Sequence, residues 1–165
     1  MLYEPVLRQE NHYEQLANQA SQLLTGVWFT DLANVSALIF DTLPDVNWVG
    51  FYLMHRGRLQ LGPFQGRVAC THIELGRGVC GEAASRRETL IVPDVHRFSD
   101  HITCDVRSRS EIVIPLIDNG ILLGVLDVDS PSLGRFNSRD AQGLQNLVEI
   151  LVRRLGEHLI DHMTR

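Results

Sequence analysis

Apolar residues change their spacing twice along this chain, and each change marks a change of element. Tyr13, Leu16, Ala20, Leu23 and Leu24 recur at helical intervals, which predicts a helix over roughly residues 9–24. A second helix is predicted from Thr30, a residue suited to an N-cap, through Leu32, Val35, Leu38 and Ile39 to Leu43, where Pro44 stops it. From Asn47 the pattern becomes aromatic and β-branched, and residues 47–54 read as a strand. The turn at His55-Arg-Gly-Arg58 returns the chain as a short strand over Leu59–Leu61, and a third strand is expected over Gly66–Leu75. Gly76-Arg-Gly78 breaks it. A short helix over Val79–Arg87 and a buried strand over Thr89–Val92 follow. Residues 93–108 have a loop's composition, and a loop of that length inside a small domain is commonly functional. Strands over Ser110–Ile117 and Ile121–Val128 flank Asp118-Asn-Gly120, a strong hairpin signal. The last helix is expected over Ser138–Ile160, capped by Asn137 with Asp140 three residues on. Its apolar stripe is Leu144, Leu147, Val148, Leu151, Val152, Leu155 and Leu159. The order predicts one α+β domain over 1–165, with an antiparallel sheet of about six strands and the N- and C-terminal helices packed on one face.

Composition narrows the classes. A 165-residue chain that is 44% hydrophobic has enough apolar side chains for a core, and it contains no low-complexity tract or repeat. The formal net charge of -5 argues against nucleic acid, whose phosphates call for a basic face. Arg86–Arg87 and Arg107–Arg109 read as solvated positions. The N-terminus is not a secretory signal, and no segment approaches the ~18 apolar residues of a membrane helix. The expected location is cytoplasmic, away from membranes. Three cysteines, Cys70, Cys80 and Cys104, are too few and too odd in number for a disulfide framework. Buried inert thiols, metal ligation and redox chemistry remain open on composition alone.

The motifs around those cysteines are more specific. The segments GPFQGRVACTHIELGRGVCGEAA, VPDVHRFSDHITCDVRSRSEIVIPL and GVLDVDSPSLGRF, with NWVGFYL upstream, resemble the free methionine-R-sulfoxide reductases, in which a GAF domain has become an enzyme. The resemblance runs from about Asn34 to the last helix. The signature of cyclic-nucleotide-binding GAF domains is absent. A signalling GAF domain also needs an output domain, for which this chain leaves no room.

The resemblance implies reduction of free L-methionine-R-sulfoxide to methionine, with no cofactor and no metal. A thiolate attacks the sulfoxide sulfur, acids protonate the oxygen, and the enzyme sulfur becomes a sulfenic acid. A second cysteine converts it to a disulfide, which thioredoxin reduces. The family pattern puts the nucleophile at Cys104, in the long loop, and the main resolving position at Cys70; Cys80 is a further partner for the oxidised sulfur. Bond formation requires Cβ atoms about 3.5–4.5 Å apart, so loop motion between redox states is expected. Asp105 opposes a depressed Cys104 pKa, and protonation of the sulfoxide oxygen makes one unnecessary. The acids implied are Glu111, Asp127 and Asp129. Asp127 and Asp129 alternate on one strand face, with Glu111 on the hairpin partner. Crowding of like charge there predicts one proton held near neutral pH, on a carboxylate the sequence does not single out. These carboxylates would also hold the substrate ammonium. Trp48 and Tyr52 share a strand face and would pack the substrate methyl group. Backbone N–H groups near Ile102 to Cys104 would hold its carboxylate, ahead of the side chains of Arg107 or Arg109.

Three alternatives stand beside this reading. One is a non-catalytic GAF ligand-binding or redox-sensing domain with structural cysteines. Another is a thiol–disulfide oxidoreductase, which the absence of Cys-x-x-Cys weakens. The third is a zinc site drawn from Cys70, His72, Cys80 and Cys104, which lacks the usual ligand spacing. His96 and His101 read as solvated loop residues. Both a monomer and a homodimer built on the N-terminal helix are compatible with the sequence.

Overall fold

The computed structural model describes residues 4–100 and 106–164, with side chains from His12 onward. Helices α1 (Glu4–Leu23) and α2 (Trp28–Thr42) open the chain. Strands β1 (Trp48–His55), β2 (Arg58–Gln65) and β3 (His72–Ile73) follow. Next come α3 (Gly78–Arg86), β4 (Leu90–Val92) and a 3-10 turn at Val95–Arg97. Strands β5 (Ser110–Asp118) and β6 (Ile121–Ser130) precede the closing helix α4 (Ser138–Thr164). The six strands form one antiparallel sheet in the order β3-β2-β1-β6-β5-β4. Among the described residues, no helix is long and apolar enough to cross a membrane.

Strand alternation sorts the side chains into two cores. Val49, Phe51, Leu53, Ile112, Ile114, Leu126 and Val128 point at α1, α2 and α4 and form the larger one. Trp48, Tyr52, Val113 and Val125 point the other way, toward α3, with Val79, Cys80 and Ala83. The two terminal helices therefore share a face, as the sequence predicts, and α3 packs on the other together with Val95 and Phe98. Gly81 lets α3 sit close: a Cβ there would lie 2.4 Å from the Glu74 carbonyl oxygen. Both hairpins turn through left-handed residues, Arg56 and Gly57 in the first and Asn119 and Gly120 in the second. The Asn137 cap is realised: its Oδ1 accepts from the Arg139 N–H at 2.8 Å, and Asp140 Oδ2 accepts from the Asn137 N–H at 2.8 Å.

Three expectations need correction. The third strand shrinks to His72–Ile73, because the carbonyls of Arg67 and Cys70 accept from aromatic side chains instead of from a neighbouring strand. The second strand is longer than Leu59–Leu61 and runs to Gln65. Pro63 is tolerated there because β3 pairs only with Leu59 and Gln60, leaving that stretch of β2 an open edge. Thr30 does not cap α2, which begins at Trp28. The fully buried Asp31 carboxylate organises this helix start, accepting from the Thr25 N–H at 2.8 Å, the Thr25 hydroxyl at 2.7 Å and the Gly26 N–H at 2.8 Å. Asp31→Ala strands these donors, and urea unfolding should show a loss of roughly 2–4 kcal/mol, with Asp31→Asn in between. An unchanged midpoint would mean that water replaces the carboxylate freely.

Candidate active site

The face that α3 covers brings the predicted acids and aromatics together. The strand register sets Asp129 of β6 between Trp48 of β1 and Glu111 of β5, and Asp127 between Gly50 and Val113. Glu111 and Asp127 are buried at 6% exposure each, far from what free carboxylates tolerate. Cys80, two residues into α3, lies over them, and its thiol donates to Glu111 Oε1 at 3.7 Å. Asp127 Oδ1 is buried and has no hydrogen-bond partner.

Burial and crowding set the charge states. Glu111 is held well above the ordinary carboxylate range, first by burial and then by the negative charges of Asp127 and Asp129. Asp127 is pushed up to about 6 by burial, with hydrogen bonds to Glu111 and Cys80 acting against the rise. Burial, then the charges of Asp127, Glu111 and Asp129, also raises the Cys80 thiol. Burial and mutual repulsion thus favour the protonated forms of Glu111 and the Cys80 thiol and move the titration of Asp127 up to about 6. Donor atoms of Cys80, Glu111 and Asp127 lie within 4.8 Å of one another, near enough for one cation on distance alone. Metal ligands must first lose their protons, and this environment favours keeping them. Of the zinc set considered from sequence, Cys80 is buried while His72 is exposed beside Thr71.

An aromatic wall stands beside the acids. The Trp48 ring stacks on Tyr52, with centroids 5.9 Å apart, and on Phe64 at 5.3 Å. Gly50 makes room for it: a Cβ there would fall 2.4 Å from Phe64 Cβ and 2.5 Å from the Trp48 ring. Both polar ends of the wall reach one segment. Trp48 Nε1 donates to the Arg67 carbonyl at 3.0 Å, and the Tyr52 hydroxyl donates to the Cys70 carbonyl at 3.1 Å. Burial, reinforced by Asp127 and Cys80, raises the Tyr52 phenol, which stays protonated as that donor. Cys70 itself is half-buried and disulfide-bonded, whereas Cys80 is a free buried thiol. Ile102 and Cys104 lie outside the described residues, as do His101 and Asp105.

Residues 27–157 match the GAF domain family. A free methionine-R-sulfoxide reductase from Escherichia coli is 48% identical over 138 residues, covering 82% of this chain and 84% of that one. The structure of fRMsr of Staphylococcus aureus in its reduced form superposes with a TM-score of 0.84 at 46% identity, covering 87% of this chain and 94% of that one. The chain belongs to the free methionine-R-sulfoxide reductase family. A further member, the reductase from Neisseria meningitidis determined in complex with its substrate, matches with a TM-score of 0.84 at 42% identity, over 87% of this chain and 88% of that one.

Two features of this reductase fold escape sequence reasoning. Phe64, the third ring of the wall, follows Gly62-Pro63, which reads as a turn; only its pairing opposite Gly50 puts it in the site. The Cys80–Glu111 contact joins residues 31 apart, a distance no local pattern reports. Its one hint in the sequence is that GRGVC places a cysteine at the start of a helix following strand-breaking glycines.

Proposed function

We propose that this chain reduces free L-methionine-R-sulfoxide to methionine, and that the buried pair of Glu111 and Asp127 beside the disulfide-forming Cys70 carries the assignment. The Cys104 thiolate attacks the sulfoxide sulfur. Glu111, the carboxyl that keeps its proton at neutral pH, donates it to the sulfoxide oxygen. Methionine leaves, and Cys104 becomes a sulfenic acid. The Cys70 thiol displaces the hydroxyl as water, giving a Cys70–Cys104 disulfide that thioredoxin returns to two thiols. Cys80 is a poor nucleophile while burial holds it neutral, which suits a thiol that fixes Glu111 more than one that begins the reaction.

The rest of the substrate has matching groups. Asp127 and Asp129 face a position where an ammonium would satisfy the unpartnered Asp127 Oδ1. Trp48 and Tyr52 supply an apolar wall for the methyl group, and backbone N–H groups at Ile102 to Cys104 receive the carboxylate. A peptide-bound methionine sulfoxide has neither terminus free, so these contacts favour the free amino acid. NADPH consumption coupled through thioredoxin and its reductase tests the reading. Turnover is expected with free methionine-R-sulfoxide, and not with the S epimer or a blocked peptide-like sulfoxide. No turnover by the folded, reducible protein would leave a ligand-sensing GAF domain as the better account.

The wall has its own test. Gly50→Ala forces the Trp48 and Phe64 rings apart and should raise the KM for the sulfoxide about tenfold, with a smaller effect on kcat. An unchanged KM would remove Trp48 from the substrate contacts. A compartment and an oligomeric state complete the reading: cytoplasmic, as monomer or homodimer, to be settled by fractionation and sedimentation.

A further inference from the structure

Cys70 lies outside any regular element, between the end of β2 and the two-residue strand β3. Its backbone is nevertheless pinned from β1 and β2. Gly66 opens the segment with φ +126°, and a Cβ there would fall 2.6 Å from the Trp48 ring and 2.9 Å from the Asn47 carbonyl oxygen, so the chain lies directly against β1. The Arg67 carbonyl accepts from Trp48 Nε1 at 3.0 Å. The Thr71 carbonyl, one residue past Cys70, accepts from the Leu61 N–H at 2.9 Å and from Gln60 Nε2 at 2.7 Å. Between these fixed points the Cys70 carbonyl accepts from the Tyr52 hydroxyl at 3.1 Å. A wall for a methyl group needs only the face of the Tyr52 ring, which phenylalanine would supply. The hydroxyl does something else, and its partner is the backbone of a disulfide-bonded cysteine.

We infer that Tyr52 is a positioning residue for Cys70: its hydroxyl, with the Gln60 amide on the next residue, holds the Cys70 backbone ready for disulfide closure, so the ring that packs the substrate also sets how readily the disulfide forms. The inference rests on the proposed reductase reading, which makes Cys104 the partner of Cys70. In the closing step the Cys70 sulfur attacks the sulfur of the Cys104 sulfenic acid. The S–S bond forms, the S–O bond breaks, and the hydroxyl leaves as water with the thiol proton. A backbone already held does not have to be ordered during that step, so these two hydrogen bonds raise the effective concentration of one sulfur at the other. Both bonds come from side chains, and each can be removed without touching a cysteine.

The test reads the disulfide itself in wild type, Tyr52→Phe, Gln60→Ala and the double variant. In glutathione redox buffers the two enzyme thiols reduce one oxidised glutathione to two thiols as their own disulfide forms, and the equilibrium constant reports the effective concentration. Each single variant should lower that constant about fivefold, the net worth of one hydrogen bond, and the double variant more. Gln60 is only half-buried, so Gln60→Ala decides the matter where Tyr52→Phe perturbs the core. In single turnovers with free methionine-R-sulfoxide, dimedone should capture more sulfenic acid in both variants than in wild type, because closure is slower. Methionine release, which precedes closure, should stay within about twofold in Gln60→Ala. A disulfide constant unchanged in the double variant overturns the positioning role. A raised KM for the sulfoxide in Tyr52→Phe with an unchanged disulfide constant also overturns it and makes the hydroxyl a substrate contact. Lowered constants in a protein that turns over no sulfoxide keep the hold on Cys70 and remove the reductase reading.

Discussion

Cys104→Ser should bring reduction of free methionine-R-sulfoxide down by about a thousandfold or more, to background, because the step it removes has no substitute nucleophile at the site. Cys80, the nearby thiol, is buried, neutral and hydrogen-bonded to Glu111. A thiol count gives a second readout that does not depend on turnover. The chain has three cysteines; Cys70 is disulfide-bonded and Cys80 is free. Denatured without reductant, the oxidised wild type should therefore present one reactive thiol. The variant should present two, since Cys70 loses its partner. Full activity in Cys104→Ser, or an unchanged thiol count, would move the nucleophile to another cysteine. Cys80→Ser should keep turnover, at a reduced rate, through loss of the hydrogen bond that orients Glu111.

The second large effect concerns the acids. Glu111→Gln keeps the shape of the side chain but removes its transferable proton, and kcat should fall about a hundredfold or more. The wild-type rate should fall toward high pH as the coupled pair of Glu111 and Asp127 loses its shared proton, with apparent values belonging to the pair. Stability carries the same signature. Asp127 rises from an ordinary 3.8 to about 6 on folding. The unfolded chain releases this proton first, so the folded state binds more protons between those values and stability falls as pH rises through them. About two units correspond to about 3 kcal/mol. Asp127→Asn removes the titration. Urea unfolding from pH 4 to 7 should therefore show the variant gaining about that much relative to wild type. Parallel curves would mean that the carboxylate is solvated in the folded protein.

Periodicity in the sequence reports the sheet and helices well because their causes are local. Asn119-Gly120 supplies two left-handed residues and fixes a hairpin; Asn137 with Asp140 fixes the start of α4. The alternation of Asp127 and Asp129 against Leu126 and Val128 puts the acids on one face whatever else the chain does. The errors occur where distant groups override local preference. The expected strand over 66–75 yields because Trp48 and Tyr52 claim the carbonyls of Arg67 and Cys70. Thr30 is a good capping residue one position from Asp31, whose buried carboxylate gathers the preceding turn more strongly. Burial that leaves Asp127 Oδ1 unpartnered, and raises Glu111 above its neighbours, depends on three strands and a helix meeting. Spacing along a chain carries none of that, which is why the residue types and the need for one retained proton were legible and the carboxylate that favours it was not.

The site divides by mechanical character. The acids, Trp48 and Tyr52 stand on β1, β5 and β6, with Phe64 on the adjoining β2, while Cys70 lies in the segment that connects β2 to β3. Recognition and electron transfer are thus written on separable parts of one domain. A version of this chain with serine at all three cysteine positions would keep its aromatic wall and carboxylates and lose its redox cycle. It would be a receptor for an oxidised amino acid, and the passage between a metabolite sensor and a repair enzyme on this scaffold would amount to the gain or loss of three sulfur atoms.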